Sequence, residues 1–262
     1  MHSHPLWRGT VRLMHSSPRD AATNMALDHA MLAAAAESGE TLLRLYSWEQ
    51  PSVSFGRNQR CDGVYDSARC AAAGIPAVRR PTGGRALLHA REVTYAVAAP
   101  NAVAPTLRGG YEAINDLLLD ALTALGVPAT RATPAGRTVS PGLAPCFETP
   151  SAGELVVGTR KLVGSAQHRE AGAFLQHGSI LLDDDQAVLQ SMALVPLPPV
   201  PPPATLRAFD VVEADAVTAS IVRALRHAAS GDIVVSDDSW LQDGHFHRAL
   251  SHYRDPLWTW RR

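Results

Sequence analysis

A cysteine between prolines, a lysine entering a strand, and a glycine pair bracketed by basic side chains are the features of this chain that could do chemistry. Cys146 stands in Ala144-Pro145-Cys146-Phe147-Glu148-Thr149-Pro150-Ser151. A loop cysteine becomes a nucleophile when cations or hydrogen-bond donors stabilise its thiolate, and Arg160-Lys161 is near enough along the chain to supply that field after one hairpin. Most cysteines are instead small buried hydrophobes, which is the reading for Cys61 and Cys70. Lys161 opens Lys161-Leu162-Val163-Gly164-Ser165-Ala166-Gln167. It is either a solvated edge lysine or an ammonium that polarises an acyl carbonyl or manages a proton, with Gly164, Ser165 and Ala166 leaving room for a ligand beside the strand.

The third feature is Arg79-Arg80-Pro81-Thr82-Gly83-Gly84-Arg85-Ala86-Leu87-Leu88-His89. Glycines without side chains let a backbone turn tightly and bring its N–H groups up to a ligand. Backbone donors and guanidinium groups both favour phosphate or carboxylate, so the loop reads as an anion cradle. The alternative is a hairpin turn with solvated arginines.

Other chemistries lack their residues. There is no G-x-G-x-x-G run, and Gly153 to Gly158 is followed by Thr159 where a phosphate loop needs lysine. Neither Gly164-Ser165-Ala166 nor Gly178-Ser179-Ile180 has the spacing of a nucleophile elbow. His2/His4 and His245/His247 have no third ligand at a metal-binding spacing, so no metal site is expected. Three cysteines are too few and too irregular for a disulfide framework. A net charge of −1 argues against a nonspecific nucleic-acid binder, and 46% hydrophobic with 19% charged residues is ordinary for a globular protein. Without a secretory pattern, or a run near the ~18 apolar residues of a membrane span, the expectation is a soluble, cytoplasmic protein.

Periodicity supplies the elements that must position these groups. Residues 6–14 alternate enough for an opening strand. Met25, Leu27, Met31 and Ala34 lie near one helical face, with Asp20 or Thr23 as cap and Ser38-Gly39 as the stop. Residues 41–46 and 52–56 read as strands, 64–73 as a short helix, and 76–80 as the strand feeding the glycine loop. Strands at 87–88 and 93–97 follow, then a helix from Tyr111 to Leu125. Residues 133–145 form an irregular loop leading into Cys146. Strands are expected at 154–157, 161–163 and 173–182. The proline-rich residues 196–203 run extended, either as a recognition ligand or as a rigid connector to C-terminal helices at 214–229 and 239–253. One domain spans residues 1–262.

Taken in order, Asn24-Met25-Ala26-Leu27-Asp28, the Arg79 to Ala86 block, His89, Thr94-Tyr95, Lys161 to Gln167, Gln176-His177-Gly178-Ser179-Ile180-Leu181-Leu182 and the closing Trp258-Thr259-Trp260-Arg261 resemble the successive blocks of the biotin/lipoate protein ligase superfamily. Within it, Pro145-Cys146-Phe147-Glu148 with Pro150-Ser151 and Glu154-Leu155 looks most like the octanoyltransferases that carry a catalytic cysteine. The resemblance implies an α+β fold of the class II aminoacyl-tRNA/biotin synthetase type, a central mixed sheet plus a smaller sheet flanked by helices. It also implies an acyl tunnel walled by the glycine loop and the Lys161 strand.

The implied reaction moves octanoate from acyl carrier protein to a lysine of a lipoyl domain, such as glycine cleavage H protein or a dehydrogenase E2, through a Cys146 thioester and without a cofactor. Cys146 and Lys161 would be catalytic. Arg79, Arg80, Thr82, Gly83, Gly84, Arg85, His89, Gly164, Ser165, Ala166, Gln167, His177 and Gly178 would line the substrate site. Three other readings stand beside it: an ATP- and magnesium-dependent lipoate ligase, an amidotransferase between lipoyl domains, and a noncatalytic carrier-binding relative. Three departures from the pattern stand out: the first weighs against adenylate binding, and together they bear on acyl-chain and acceptor preference more than on reaction type. Arg85 stands where the ligases have a third glycine, Ala90 stands where an acidic residue is common, and Ala152-Gly153 replace bulkier residues.

Overall fold

The computed structural model describes residues 4–133 and 153–261. Its main sheet is built of β1 (Val11–His15), β2 (Thr41–Tyr46), β6 (Glu92–Pro100), β10 (Val163–Glu170), β11 (Ala173–Leu181) and β12 (Ile233–Ser236). Their spatial order is β10-β11-β6-β2-β1-β12. β1 runs parallel to β2 and to β12, while β6 is antiparallel to both β2 and β11, so the sheet is mixed. A second sheet sets β3 (Ser52–Phe55) between β4 (Ala77–Arg79) and β5 (Leu87–His89), and a third joins β7 (Thr130–Arg131), β8 (Leu155–Val157) and β9 (Arg160–Lys161).

Side chains alternate across a strand, so the central β6 serves two cores. Val93, Tyr95, Val97 and Ala99 share one with Ile114, Leu117 and Leu118 of α3 (Leu107–Ala124) and with Ile221 and Leu225 of α5 (Ala214–Ala228). On the other face Ala96 and Ala98 pack with Met25, Leu27 and Met31 of α1 (Ala21–Ser38) and with Phe246 and Tyr253 of α6 (Gly244–Arg254). Burial on both faces explains why β6 reads as an almost unbroken apolar run. The second sheet packs Val53, Phe55 and Leu88 against Cys70 of α2 (Ser67–Ala72) and Met192 of α4 (Leu189–Met192). α7 (Pro256–Thr259) closes the chain.

The caps agree with the chemistry of the sequence. The Asp20 carboxylate accepts from the Thr23 N–H at 3.0 Å, and Gly39 ends α1 at φ 75°, a conformation glycine adopts without strain. Several boundaries differ from expectation; the helix expected over 239–253, for one, is a 3-10 turn (Asp238–Leu241) followed by α6, and the helix expected from Tyr111 starts at Leu107. The strand expected over 6–14 begins only at Val11, because Pro5 starts a 3-10 turn whose Leu6 N–H is accepted by His4. The short helix over 64–73 starts instead at Ser67, where the Asp66 carboxylate accepts from the Ala68 N–H. The strand expected over 161–163 is divided at Leu162: Lys161 ends β9 in the third sheet, and Val163 opens β10, which runs to Glu170 paired with β11. Between the C-terminal helices, Ile233–Ser236 adds the edge strand β12, a run too short to read without its partner β1. Among the described residues no helix is long and apolar enough to cross a membrane.

Phe174 joins sheet and helix: it is fully buried, and a Cβ on Gly110 of α3 would stand 3.0 Å from its ring. Phe174→Ala is expected to lower the unfolding free energy by about 3–5 kcal/mol, read from urea denaturation, with secondary structure retained by circular dichroism.

Candidate active site

The glycine loop is held from inside. The Arg80 guanidinium donates to the carbonyls of Gly83 (3.1 Å), Arg85 (2.8 Å) and Ser54 (2.9 Å), and to the Ser54 hydroxyl (2.9 Å). Gly84 takes φ 99°, and a Cβ there would fall 2.5 Å from Arg80 Nη2. A Cβ on Gly56 would fall 1.9 Å from the Gly84 carbonyl oxygen, so two glycine backbones meet where no side chain fits. Beside Gly83, by contrast, no described atom lies within 4 Å of the Cβ position. Thus the loop has a stapled inner side and an open flank at Gly83.

Arg79 has a different task from the substrate contact expected of it. Its guanidinium is fully buried and donates to the carbonyls of Gly56 (2.6 Å), Gln59 (2.7 Å), Trp258 (3.0 Å) and Arg261 (3.1 Å). It also donates to Cys61 Sγ at 3.1 Å. Arg79 therefore ties the C-terminal Trp258 to Arg261 segment to the turn after β3. Two of the three arginines of the expected anion cradle are bonded to protein acceptors, while the third, Arg85, is half-buried.

Two carboxylate–imidazole–hydroxyl chains reach the loop. In the first, Asp28 Oδ2 lies 2.8 Å from His177 Nδ1, and His177 Nε2 lies 2.7 Å from Thr82 Oγ1. Asp28 also pairs with Arg44 Nη1 at 2.9 Å and accepts from the Tyr46 hydroxyl at 2.7 Å, and all these groups are buried. In the second, Glu92 Oε1 lies 2.7 Å from His89 Nδ1, and His89 Nε2 lies 2.7 Å from Ser54 Oγ, which accepts from Arg80. Trp48 stacks on the His89 ring at 3.9 Å. Burial holds the His177 imidazole below the ordinary histidine pKa, with Asp28 opposing the shift.

The Lys161 side of the site lies toward α3. Lys161 Nζ donates to Glu154 Oε1 at 2.8 Å, and both side chains are more than nine-tenths buried. A lysine placed this way is no solvated edge residue. Nearby, Asn115 Nδ2 donates to the Gly153 carbonyl at 2.9 Å. Burial, reinforced by Glu154, pushes the Tyr111 hydroxyl well up, and Tyr95 is pushed up to about 12, chiefly by burial. Tyr95 OH meets Ser165 Oγ at 2.7 Å and accepts from Gln176 Nε2 at 2.8 Å. Gln167 donates to Gln176 and to the Leu107 carbonyl, both at 3.0 Å. Gly178 is required for this packing, since a Cβ would stand 2.5 Å from the Gly164 carbonyl oxygen and 2.8 Å from the Tyr95 ring. Ala166 pairs with His177 across β10 and β11, half-buried.

Cys146 lies outside the described residues. The other two cysteines are buried. Burial raises both thiols, Cys70 to about 11, and Arg79 only partly offsets the rise at Cys61. Neither has the stabilised thiolate a nucleophile needs. Among the described residues no group of three or more His, Cys, Asp or Glu side chains could hold a metal ion.

Sequence reasoning did not assign roles to Asp28, Arg44, Ser54, Glu92, Tyr95, Asn115 or Glu154. The available signal was a polar side chain inside an apolar run, as in Leu42-Leu43-Arg44-Leu45-Tyr46, since buried polar groups need partners.

The family of the lipoyl protein ligase A/B catalytic domain matches residues 20–197. Octanoyltransferase LipM of Kyrpidia tusciae is 44% identical over 197 residues, 71% of this chain and 71% of that protein. Octanoyltransferase LipM of Symbiobacterium thermophilum is 42% identical over 200 residues, 71% and 70% respectively. Among solved structures, a bi-partite lipoate protein ligase from Thermoplasma acidophilum, described with its E2 lipoyl domain, gives a TM-score of 0.72 at 19% identity over 97% of this chain and 96% of that one. A lipoate-protein ligase A bound with ATP gives 0.73 at 19% identity, over 97% and 98%. These two likenesses establish the shared fold.

The depressed His177 value has a consequence with a fixed sign. The unfolded chain takes up a proton on this histidine near pH 6.5 while the folded chain does not. Stability from this group is therefore complete above that pH and declines as pH falls below it. The unfolding free energy, followed by urea titration between neutral and mildly acid pH, is expected to fall in the native chain and to fall less steeply in His177→Gln.

Proposed function

The chain belongs to the lipoyl protein ligase A/B catalytic domain family, and from that premise we propose that it is an octanoyltransferase of lipoate biosynthesis, moving octanoate from acyl carrier protein to a lipoyl-domain lysine. The observation that carries this reading is the 44% identity to an octanoyltransferase over most of both chains. It is an acyltransferase, and its acceptor is a lipoyl-domain protein of the glycine cleavage H protein or dehydrogenase E2 kind.

The chemistry runs in two exchanges. The Cys146 thiolate attacks the octanoyl thioester carbonyl, the carbon–sulfur bond to the carrier breaks, and the carrier thiolate leaves to be protonated. The acceptor lysine amine then attacks the Cys146 thioester, loses a proton, and expels the Cys146 thiolate. An amide replaces a thioester, so the sequence runs downhill without ATP. Lys161 suits the carbonyl in both exchanges: a buried ammonium held at 2.8 Å by Glu154 supplies positive charge where negative charge develops on oxygen. The proton that the acceptor amine loses passes to the departing Cys146 thiolate, since an ammonium has no lone pair to take it. Glu154 keeps this ammonium in place, a task the sequence leaves implicit.

Open space beside Gly83 and the small Gly164, Ser165 and Ala166 support an acyl chain lying between loop and strand. Arg85 in place of a third glycine counts against a nucleotide there. In this reading Thr82, Gly84 and Gly178 shape the walls, whereas Arg79, Arg80, His89 and His177, bonded to protein groups, act through the framework.

The test is transfer of octanoate from octanoyl-carrier protein to a lipoyl domain without ATP. The native chain is expected to turn over, Cys146→Ala to lose transfer, and Lys161→Met to retain roughly a hundredth to a thousandth of the rate. A strict ATP requirement with free lipoate as donor would establish the ligase reading instead. No transfer from any donor would favour a noncatalytic carrier-binding protein.

A further inference from the structure

The Asp28–His177–Thr82 chain is longer than a packing contact needs. It starts at a carboxylate on α1, crosses β11 and ends on a hydroxyl one residue before the glycine pair. Each link has a defined direction. His177 is buried and kept neutral, so Nδ1–H donates to the Asp28 carboxylate and the Nε2 lone pair accepts from the Thr82 hydroxyl. Asp28 is itself fixed by Arg44 and by the Tyr46 hydroxyl, so it cannot turn toward another partner without leaving a buried guanidinium unpaired.

The second chain has the same chemistry. Arg80 can only donate, so Ser54 Oγ accepts from it; Ser54 Oγ lies 2.7 Å from His89 Nε2, and His89 Nδ1 lies 2.7 Å from Glu92 Oε1. Glu92 Oε1 is pinned in turn by the hydroxyls of Thr94 (2.6 Å) and Ser179 (2.8 Å). The loop is thus gripped at residues 80 and 82 on either side of Pro81, and the next residue, Gly83, faces open space. No element of regular structure holds residues 80–86. Two backbone hydrogen bonds, Arg80 N–H to the Phe55 carbonyl (3.0 Å) and Arg57 N–H to the Thr82 carbonyl (2.8 Å), anchor its entry, and these side chains supply the rest of its position.

We propose that Asp28 and His177 are positioning residues, which through Thr82 hold the Gly83-Gly84 backbone as a rigid wall for the acyl chain, while Glu92, His89 and Ser54 hold the loop's other end through Arg80. None of the five touches substrate. Their effect is on how tightly the acyl group is bound and aligned, and this part rests on the octanoyl-transfer reading. The rigidity of the loop does not rest on it.

The experiment has two readouts on the full chain, with Thr82→Val, Thr82→Ser, His177→Phe and the Thr82→Val/His177→Phe pair. The first, amide hydrogen exchange of the substrate-free chain, is expected to show faster exchange across residues 82–86 in Thr82→Val and His177→Phe, and native rates in Thr82→Ser, which keeps the hydroxyl. The second is steady-state octanoyl transfer. Thr82→Val and His177→Phe are each expected to raise KM for the octanoyl donor about tenfold with a smaller change in kcat, and the double variant to be no worse than the weaker single one, because both break one chain. Thr82→Val is nearly isosteric and serves if His177→Phe does not fold. Native loop exchange in Thr82→Val, or additive losses in the double variant, would overturn the proposal. Loosened loop exchange with no octanoyl transfer by the native chain would leave the positioning role standing and refute the octanoyl-transfer reading.

Discussion

The buried ion pair between Asp28 and Arg44 is the constraint on which the rest of this structure turns. Both side chains are fully removed from water, 2.9 Å apart. Such a pair is tolerable only when its remaining hydrogen-bonding capacity is filled, because two desolvated charges lose more hydration than their attraction returns unless geometry and partners are good. Here the capacity is filled by neighbours from different elements: Asn24 Oδ1 and Ser16 Oγ on the guanidinium, and Tyr46 OH and His177 on the carboxylate. Satisfying one buried charge thereby locks α1 to β2 and β11, and through His177 to the glycine loop.

The loop's basic residues then divide by task. Arg79 and Arg80 look alike in sequence and are both buried, and both guanidinium groups are bonded to protein acceptors. One fastens the C-terminal segment across the chain, and the other fills the loop from within. What faces outward is backbone at Gly83 and Gly84. On the α3 side, a different buried pair, Lys161 with Glu154, places an ammonium in apolar surroundings where its charge is little screened. The two charge pairs lie on opposite faces of the same sheet, and β11 alternates between them, with Gln176 and Gly178 on one side and His177 and Ser179 on the other.

Local signals made much of this legible. Asp20 and Gly39 bound α1 as their capping chemistry requires, and the strands on both sides of the glycine pair follow from alternation and turn residues. The ordered blocks from Asn24 to Leu182 carried the family, and the mixed α+β sheet it implies is the one found. Interactions between distant residues were not legible. Arg79 meets partners 180 and 182 residues away, so its spacing to the glycines suggested a ligand where the structure shows protein carbonyls. β12 is a four-residue edge with Val235 exposed, and only pairing with β1 makes it a strand. The tasks of Asp28 and Glu154 became visible once His177 and Lys161 were seen beside them.

The central claim is that octanoate passes through Cys146. Intact mass spectrometry of the chain after mixing with octanoyl-carrier protein, without ATP or acceptor, tests it most directly. The account predicts a gain of one octanoyl group on the native chain, its loss when a lipoyl domain is added, and no gain on Cys146→Ala. An unmodified native chain that still transfers octanoate, or an adduct that persists in Cys146→Ala, would contradict it.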